Sequence, residues 1–125
     1  MWLGIISDTH GFYHPEIPEV FEDVDLILHA GDLGRVEILR ALEDLAPVRA
    51  VYGNVDGGSV REATSEHERF EVEGLSFWMT HIGGRPGRWD RRVRDRLNRA
   101  PPDVFVCGHS HILQVEHVDD PPGML

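Results

Sequence analysis

Residues 2–10 read WLGIISDTH, a short and nearly continuous apolar run that ends in an aspartate and a histidine. Runs of this kind are typical of strands that are covered on both faces of a sheet. We therefore predict a strand over Trp2–Ser7. Three later segments share the pattern and are also predicted as strands: Asp25–Ala30, Val48–Tyr52 and Asp103–Cys107.

The segments between these apolar runs have helical or alternating patterns of apolar residues. Arg35–Leu45 carries apolar residues at helical spacing, with its charges opposite, and Pro47 stops the predicted helix. Arg88–Asn98 is a second predicted helix. Phe70–Met79 alternates around a glycine, which indicates a β-hairpin. The pattern predicts an α/β fold with some antiparallel pairing, and 125 residues suit one domain.

Composition excludes several classes of protein. The chain has 22 acidic and 12 basic residues, a net charge of −10, which disfavours nucleic acid and anionic membranes as partners. A single cysteine cannot form an internal disulfide, and no apolar run is long enough to span a bilayer. The first residues lack the basic region of a signal peptide. We expect a cytoplasmic protein. Every basic residue is arginine, which fits a high-salt cytoplasm or a GC-rich genome.

The end of the chain is unusual for a complete domain. Ile112–Val118 is a predicted strand and residues 119–123 a turn, after which only Met124 and Leu125 follow. A two-residue partner strand leaves an unpaired edge. We expect a single domain over residues 1–125 that is truncated at its C-terminus. A short disordered tail is the alternative.

Residues of the types that bind metals collect directly after the predicted strands. Seven of them are candidate ligands: Asp8, His10, Asp32, Asn54, His81, His109 and His111. They fall at the strand ends where open α/β sheets bind ligands. In an extended segment, the side chains of residues i and i+2 lie on the same side of the backbone. We therefore predict that Asp8 and His10 lie on one side of their segment, and His109 and His111 on one side of theirs. Three glycines before such residues are expected to supply flexible turns: Gly31, Gly53 and Gly108.

The chemistry of this set favours a dinuclear metal site. Four imidazoles, two carboxylates and one amide could not share a desolvated site without cations to neutralise and order them. Seven nitrogen and oxygen ligands are too many for one transition metal and suit two, with a bridging carboxylate. No serine or cysteine lies in a recognisable nucleophile turn. The inferred nucleophile is a metal-bound hydroxide.

The ordered motifs resemble those of the calcineurin-like metallophosphoesterases, in particular the small YfcE-type phosphodiesterase branch. The family blocks D-x-H, G-D-x-x, G-N-x-[DE], a lone histidine and G-H-x-H all occur here in order, and they span essentially the whole chain. Their first residues in this sequence are Asp8, Gly31, Gly53, His81 and Gly108. The resemblance implies a four-layer αββα sandwich of mixed β-sheets.

The resemblance also implies roles for the candidate ligands. Asp8, His10 and His111 would hold one divalent ion, and Asn54, His81 and His109 the other. Asp32 would bridge the two ions, and Asn54 would also touch the phosphate. The catalytic residues would thus be Asp32, Asn54 and His81. We expect Mn²⁺ at both positions, although Fe, Zn, Ni and Co also suit such ligands. The implied reaction is in-line attack of the hydroxide on a small-molecule phosphodiester.

One position departs from the family pattern. Many relatives have a general-acid histidine directly after the asparagine, where this chain has Val55. Valine cannot protonate a leaving group. Asp56, which would support that histidine, is therefore expected to be either a turn residue or a residue that supports the metal ligands without binding the metal. Three alternative functions stay open: a protein-binding scaffold of the same fold, a phosphomonoesterase or protein phosphatase, and a nuclease, which the charge disfavours.

The remaining candidates are weaker. His29 is either a support for the ligands or an ordinary core histidine, and Trp89 either lines the site or packs. Cys107 is expected to be an inert core thiol. Arg85 and Arg88 could reach a substrate phosphate, whereas the later arginines are expected on a solvated helix face, with Asp90–Arg94 and Asp95–Arg99 paired. Three further histidines are expected at the surface: His14, His67 and His117.

Overall fold

The computed structural model describes residues 1–85 and 88–109, which form two three-stranded β-sheets packed face to face and a separate two-stranded ribbon. The first sheet is parallel and has the strand order β1-β2-β3. Its strands are β1 (Leu3–Ile6), β2 (Leu26–His29) and β3 (Val48–Ala50). Three helices accompany this sheet along the chain: α1 (Ile17–Val20), α2 (Val36–Glu43) and α3 (Gly58–Ala63).

The second sheet is mixed and has the order β4-β5-β8. Its strands are β4 (His67–Val72), β5 (Leu75–Thr80) and β8 (Val104–Val106), with β4 antiparallel and β8 parallel to β5. Glu73 and Gly74 join β4 to β5 with φ angles of 49° and 83°, as a two-residue hairpin turn with positive φ at both positions requires. Between β5 and β8 lie β6 (Gly84–Arg85), β7 (Arg88–Trp89) and α4 (Arg91–Arg99).

Alternating side chains along the central strands divide the core into layers. On β2, Ile27 packs among residues of α1 and α2, whereas the next residue, Leu28, packs between the sheets. On β5, Trp78 packs against Val93 and Leu97 of α4, while its neighbours face the first sheet. Because strand side chains alternate between faces, each sheet has one helix face and one sheet face. The αββα sandwich is confirmed.

Most predicted elements are present, and one has a different start. The four predicted strands, the hairpin and the first helix are confirmed within a few residues. The second helix begins at Arg91 rather than Arg88, because Arg88 and Trp89 pair in the β6–β7 ribbon. Asp90 then caps the helix by accepting a hydrogen bond from the backbone N–H of Arg92. The short helices α1 and α3 were not predicted.

Two sequence predictions fall on parts of the chain that the structure does not describe. The predicted strand Ile112–Val118 and the turn at residues 119–123 lie outside the described residues. Among the helices of the described residues, none is long and apolar enough to cross a lipid bilayer.

Candidate metal centre

The loops after β1 and β2 lie side by side because the hydrogen-bond ladder continues past the strand ends. The backbone N–H of Asp8 donates to Gly31 O at 2.9 Å, and that of His10 donates to Asp32 O at 2.9 Å. The N–H of Gly11 donates to Leu33 O at 2.7 Å. These bonds bring the first two sequence motifs to one edge of the first sheet.

Four candidate ligands have left-handed backbone conformations. The φ angles are 56° at Asp8, 49° at His10, 59° at Asp32 and 73° at His109. Asp8 and His10 lie on one side, as predicted, but the extended backbone given as the reason is wrong, because both residues have positive φ. Non-glycine residues rarely adopt positive φ, and such strain gathers at functional sites.

Two overlapping groups of side chains have metal-ligand geometry. In each group, one ligand atom per residue lies within 4.8 Å of the others: Asp8, His10 and Asp32 form the first, and Asp32, His81 and His109 the second. Asp32 belongs to both, and its Oδ2 lies 3.7 Å from His10 Nε2 and 3.1 Å from His81 Nε2. Asp8 Oδ1 lies 3.9 Å and 3.8 Å from the same two nitrogens.

The hydrogen bonding of His81 fits a cation at this position. His81 is 3% exposed, and its Nδ1 lies 2.7 Å from the carbonyl oxygen of Ala30, to which it must donate. In the neutral ring Nε2 is then a bare lone pair, buried and without a hydrogen-bond partner in the described residues. This lone pair faces the buried Asp32 carboxylate. Two electron donors about 3 Å apart suit two ligands of one metal ion.

His109 links the second sheet to the first. Its backbone N–H donates to Asp8 Oδ2 at 3.1 Å, and the Ser7 hydroxyl donates to the same oxygen at 2.6 Å. The ring centroids of His81 and His109 are 5.2 Å apart. Asp8 is thus oriented from two directions, which places its other oxygen toward His10 and His81.

Asp56 holds the two loops that follow β2 and β3. It is 4% exposed and accepts three backbone hydrogen bonds, from Leu33 N at 3.1 Å, Gly34 N at 2.8 Å and Gly53 N at 2.8 Å. Both interpretations of Asp56 apply: its own N–H donates to Gly53 O at 3.2 Å and closes a turn, while its carboxylate supports the loops of the candidate ligands. Because these loops carry Asp32 and Asn54, the carboxylate also fixes the position of two candidate ligands.

His29 is a fully buried core histidine that also supports the site. Its Nδ1 accepts the N–H of Gly31 at 3.1 Å, so its Nε2–H donates to Thr9 Oγ1 at 3.1 Å. The Thr9 hydroxyl in turn donates a hydrogen bond to Leu33 O at 3.0 Å. Burial lowers the pKa of His29 from 6.5 to about 4, which keeps the ring neutral and this pattern of donors intact. Both interpretations of His29 thus apply.

Close approach explains the three glycines better than flexibility alone. Gly31 has φ of 105°, and a Cβ there would lie 2.6 Å from His81 Nδ1. Gly53 and Gly108 do not have positive φ. A Cβ at Gly53 would collide with Asp32, and a Cβ at Gly108 with Ser7 Oγ. The expectation of flexible turns is therefore corrected at these two positions, where the missing side chain leaves room for a neighbouring polar residue.

A cavity of about 370 Å³ adjoins this centre. Asn54 is exposed and lies on its wall together with His81. The wall also contains His67, which is half-buried rather than at the surface as predicted, because the Trp78 indole packs against it and donates to its Nδ1 at 3.3 Å. Two arginines that were not assigned to the site line it as well: Arg61 and Arg92.

The structure thus gathers five of the seven candidate ligands and places a sixth beside them. Asp8, His10, Asp32, His81 and His109 form the two groups, Asn54 lies on the adjoining cavity wall, and His111 lies outside the described residues. The sequence did not predict that Arg61 and Arg92 line this cavity, because they lie on α3 and α4 and come together only in the folded protein.

Most of the weaker candidates pack against or pair with residues outside the candidate metal centre. Trp89 packs on Phe105, with ring centroids 5.7 Å apart. Arg88 is exposed, and Asp90 pairs with Arg92 at 3.0 Å rather than with Arg94. Burial raises the pKa of the half-buried Cys107 thiol, as expected for an unreactive cysteine. Of the histidines expected at the surface, His14 is exposed and His117 lies outside the described residues.

Comparison with known proteins identifies the family. A family model described as a calcineurin-like phosphoesterase superfamily domain matches residues 1–123. The chain belongs to this superfamily. A probable metallophosphoesterase from Methanothermobacter thermautotrophicus is 38% identical over 125 residues, which cover 96% of this chain and 72% of the relative. The resemblance inferred from the motifs is confirmed. The general function of this family is metal-dependent hydrolysis of phosphoesters.

Two solved structures illustrate the range of proteins with this fold. An archaeal phosphodiesterase has a TM-score of 0.71 and 28% identity, over 96% of this chain and 79% of that chain. A single mutant of Vps29 from Entamoeba histolytica has a TM-score of 0.70 and 25% identity, over 95% of this chain and 69% of that chain. Both match the mixed α/β architecture of this phosphoesterase domain.

Proposed function

We propose that this domain hydrolyses small-molecule phosphodiesters with two divalent ions, Mn²⁺ being the expected metal. The observation that carries the proposal is the shared Asp32: one buried carboxylate belongs to both groups of side chains that could hold a metal ion. A carboxylate shared in this way is suited to bridge the two ions of a dinuclear centre. Similarity to the archaeal phosphodiesterase favours diesters as substrates.

The proposal gives each side chain a defined task. Asp8 and His10 would hold one ion, together with His111, and His81 and His109 the other, together with Asn54. Two ions bound here would lower the pKa of water and polarise the phosphoryl oxygens. The hydrogen bond from His81 Nδ1–H to Ala30 O orients the ring so that Nε2 is the atom that would bind the ion.

Val55 constrains the choice of substrate. It follows Asn54, is 53% exposed and has no group that could transfer a proton. Its backbone N–H donates to Asp32 Oδ1 at 3.0 Å. We therefore expect the best substrates to be diesters whose leaving group needs little protonation, such as aryl diesters.

Metal-dependent hydrolysis tests the proposal. Metal-stripped protein is assayed with bis(p-nitrophenyl) phosphate after addition of Mn²⁺, Ni²⁺ or Zn²⁺, with p-nitrophenyl phosphate as the monoester comparison. We expect turnover of the diester only with metal, and a loss of more than about 100-fold in Asp32→Asn and His81→Ala. Asp44→Asn and His14→Ala remove the same groups from exposed positions and should leave turnover unchanged. Preference for the monoester would favour a phosphomonoesterase instead.

A protein-binding scaffold is the second candidate. It is favoured by the likeness to Vps29 and by exposed apolar side chains near β1, which is the outermost strand of the first sheet within residues 1–85 and 88–109: Trp2 at 74%, Ile5 at 54% and Val20 at 68%. Contiguous apolar surface often marks a protein contact. Absence of metal binding and of turnover in the assay above would favour this candidate over the enzyme.

A further inference from the structure

Arg61 lies on the wall of the cavity that adjoins the candidate metal centre. The cavity measures about 370 Å³ and shares Asn54 and His81 with that centre. Cavities of this size accept part or all of a small organic ligand. A group of the substrate that extends from the reacting phosphorus past Asn54 would therefore enter the space in front of Arg61.

The Arg61 guanidinium is held in place without a charged partner. Its Nε donates to the carbonyl oxygen of Asp56 at 2.8 Å, and its central carbon lies 4.5 Å from the centre of the Tyr52 ring. Within residues 1–85 and 88–109, no carboxylate lies within ion-pair distance of it. An arginine positioned by a neutral acceptor and an aromatic face keeps its full charge and its fork of donors for a ligand.

The other arginine on the wall already has a charged partner, since Arg92 forms an ion pair with Asp90 at 3.0 Å. The Glu66 carboxylate lies 3.9 Å from His67 Nε2, but burial lowers the pKa of that imidazole. In a chain of net charge −10, Arg61 is thus a local positive charge beside the site. Its support through Asp56 connects it to the loop that carries Asn54.

We propose that Arg61 binds a second phosphate group on the alcohol portion of the diester substrate, and so selects substrates that carry one. The proposal rests on the diesterase function and adds a substrate class to it. Arginine suits this task because its planar fork matches phosphate oxygens with two parallel hydrogen bonds. A diester without that phosphate would react at the same centre but would lose this contact.

A matched pair of substrates isolates the contact. The p-nitrophenyl ester of thymidine 5′-phosphate is compared with the same compound carrying a 3′-phosphate, using Mn²⁺-loaded protein. We expect kcat/KM to be higher for the 3′-phosphorylated ester by about tenfold. Arg61→Gln should abolish this preference, measured as the ratio of the two kcat/KM values, because a general loss of activity would lower both values and leave their ratio unchanged.

Two further variants separate a binding role from a general effect of charge or folding. Arg40→Gln removes the same charge from an exposed helix position that pairs with Glu43, and it should keep the preference. Arg61→Lys keeps the charge but loses the fork, and it should retain part of the preference. Thermal unfolding of each variant shows that it is folded.

Calorimetry gives a second readout that needs no turnover. Titration of the Mn²⁺-loaded protein with thymidine 3′,5′-bisphosphate and with thymidine 5′-phosphate should show tighter binding of the bisphosphate, and Arg61→Gln should remove the difference. Equal binding of both nucleotides, or a preference that survives Arg61→Gln, would overturn the proposal. If neither ester is hydrolysed, the diesterase function has failed, and the calorimetric difference alone decides whether the phosphate subsite exists.

Discussion

At the scale of single residues, the Asp56 carboxylate joins the loops after β2 and β3 by accepting three backbone hydrogen bonds. Asp56→Asn replaces one acceptor oxygen by a donor that faces backbone N–H groups of Leu33, Gly34 or Gly53. We expect the free energy of unfolding to fall by about 2 kcal/mol, because a buried donor loses its partner. Urea unfolding measures the change, with the exposed Asp44→Asn as control. Equal stability of the two variants would contradict the role of Asp56.

His29 makes the stability of the metal-free protein depend on pH. Its pKa is about 4 when folded and 6.5 in the unfolded chain, so below pH 6.5 the unfolded state gains a proton that the folded state does not. Stability is complete above pH 6.5 and is lost as the pH falls toward 4, by about 3 kcal/mol for this group. His29→Gln should lack this component.

Urea unfolding at pH 7, 5.5 and 4.5 in the presence of a chelator tests this prediction. The difference in unfolding free energy between the unchanged protein and His29→Gln should shrink as the pH is lowered. The exposed His14→Gln should follow the unchanged protein at every pH. A constant difference between the unchanged protein and His29→Gln would mean that His29 is protonated equally well in both states.

At the scale of elements, the loop after β3 depends on the absence of a side chain at Gly53. Gly53→Ala places a methyl group against the Asp32 carboxylate and backbone. We expect weaker Mn²⁺ binding by at least about tenfold, because Asp32 must move. Gly57→Ala is the matched control, since a Cβ there meets nothing within 4 Å and its φ is −98°. Calorimetric Mn²⁺ titration of both variants measures the effect, and equal affinities would contradict it.

The strands were predictable from sequence because buried strands are continuous apolar runs. The motif residues follow those runs directly, so the order of residues along the chain was enough to predict that five of the candidate ligands lie together. The turns at Asp8 and His10 were not predictable, because positive φ at a non-glycine residue is imposed by neighbouring loops. The cavity wall was also missed, since Arg61, His67 and Arg92 come from separate elements.

At the scale of the whole molecule, the candidate centre spans both sheets. Asp8, His10 and Asp32 follow strands of the first sheet, whereas His81 and His109 follow strands of the second. The core between the sheets therefore sets the distance between the two halves of the site. A change in that core should affect metal binding in a way that a change in an outer layer does not.

Met79→Ala and Leu97→Ala compare these two layers. Met79 packs between the sheets, and Leu97 packs under α4 on the outer face of the second sheet. Each substitution should lower the free energy of unfolding by roughly 2–5 kcal/mol, because both side chains are buried. Only Met79→Ala should also weaken Mn²⁺ binding, measured by calorimetry at a temperature where both variants are folded. Equal losses of Mn²⁺ affinity in the two variants would contradict the dependence on the core between the sheets.

The number of Mn²⁺ ions bound per chain, measured alongside diester hydrolysis, tests the central claim most directly. Metal-stripped protein is titrated with Mn²⁺ while bound metal and turnover of bis(p-nitrophenyl) phosphate are followed on the same samples. We expect two ions per chain, with turnover rising as both sites fill, and one ion or fewer with little turnover in Asp32→Asn. Full turnover with one ion bound, or two ions bound in Asp32→Asn with turnover intact, would contradict a dinuclear centre bridged by Asp32.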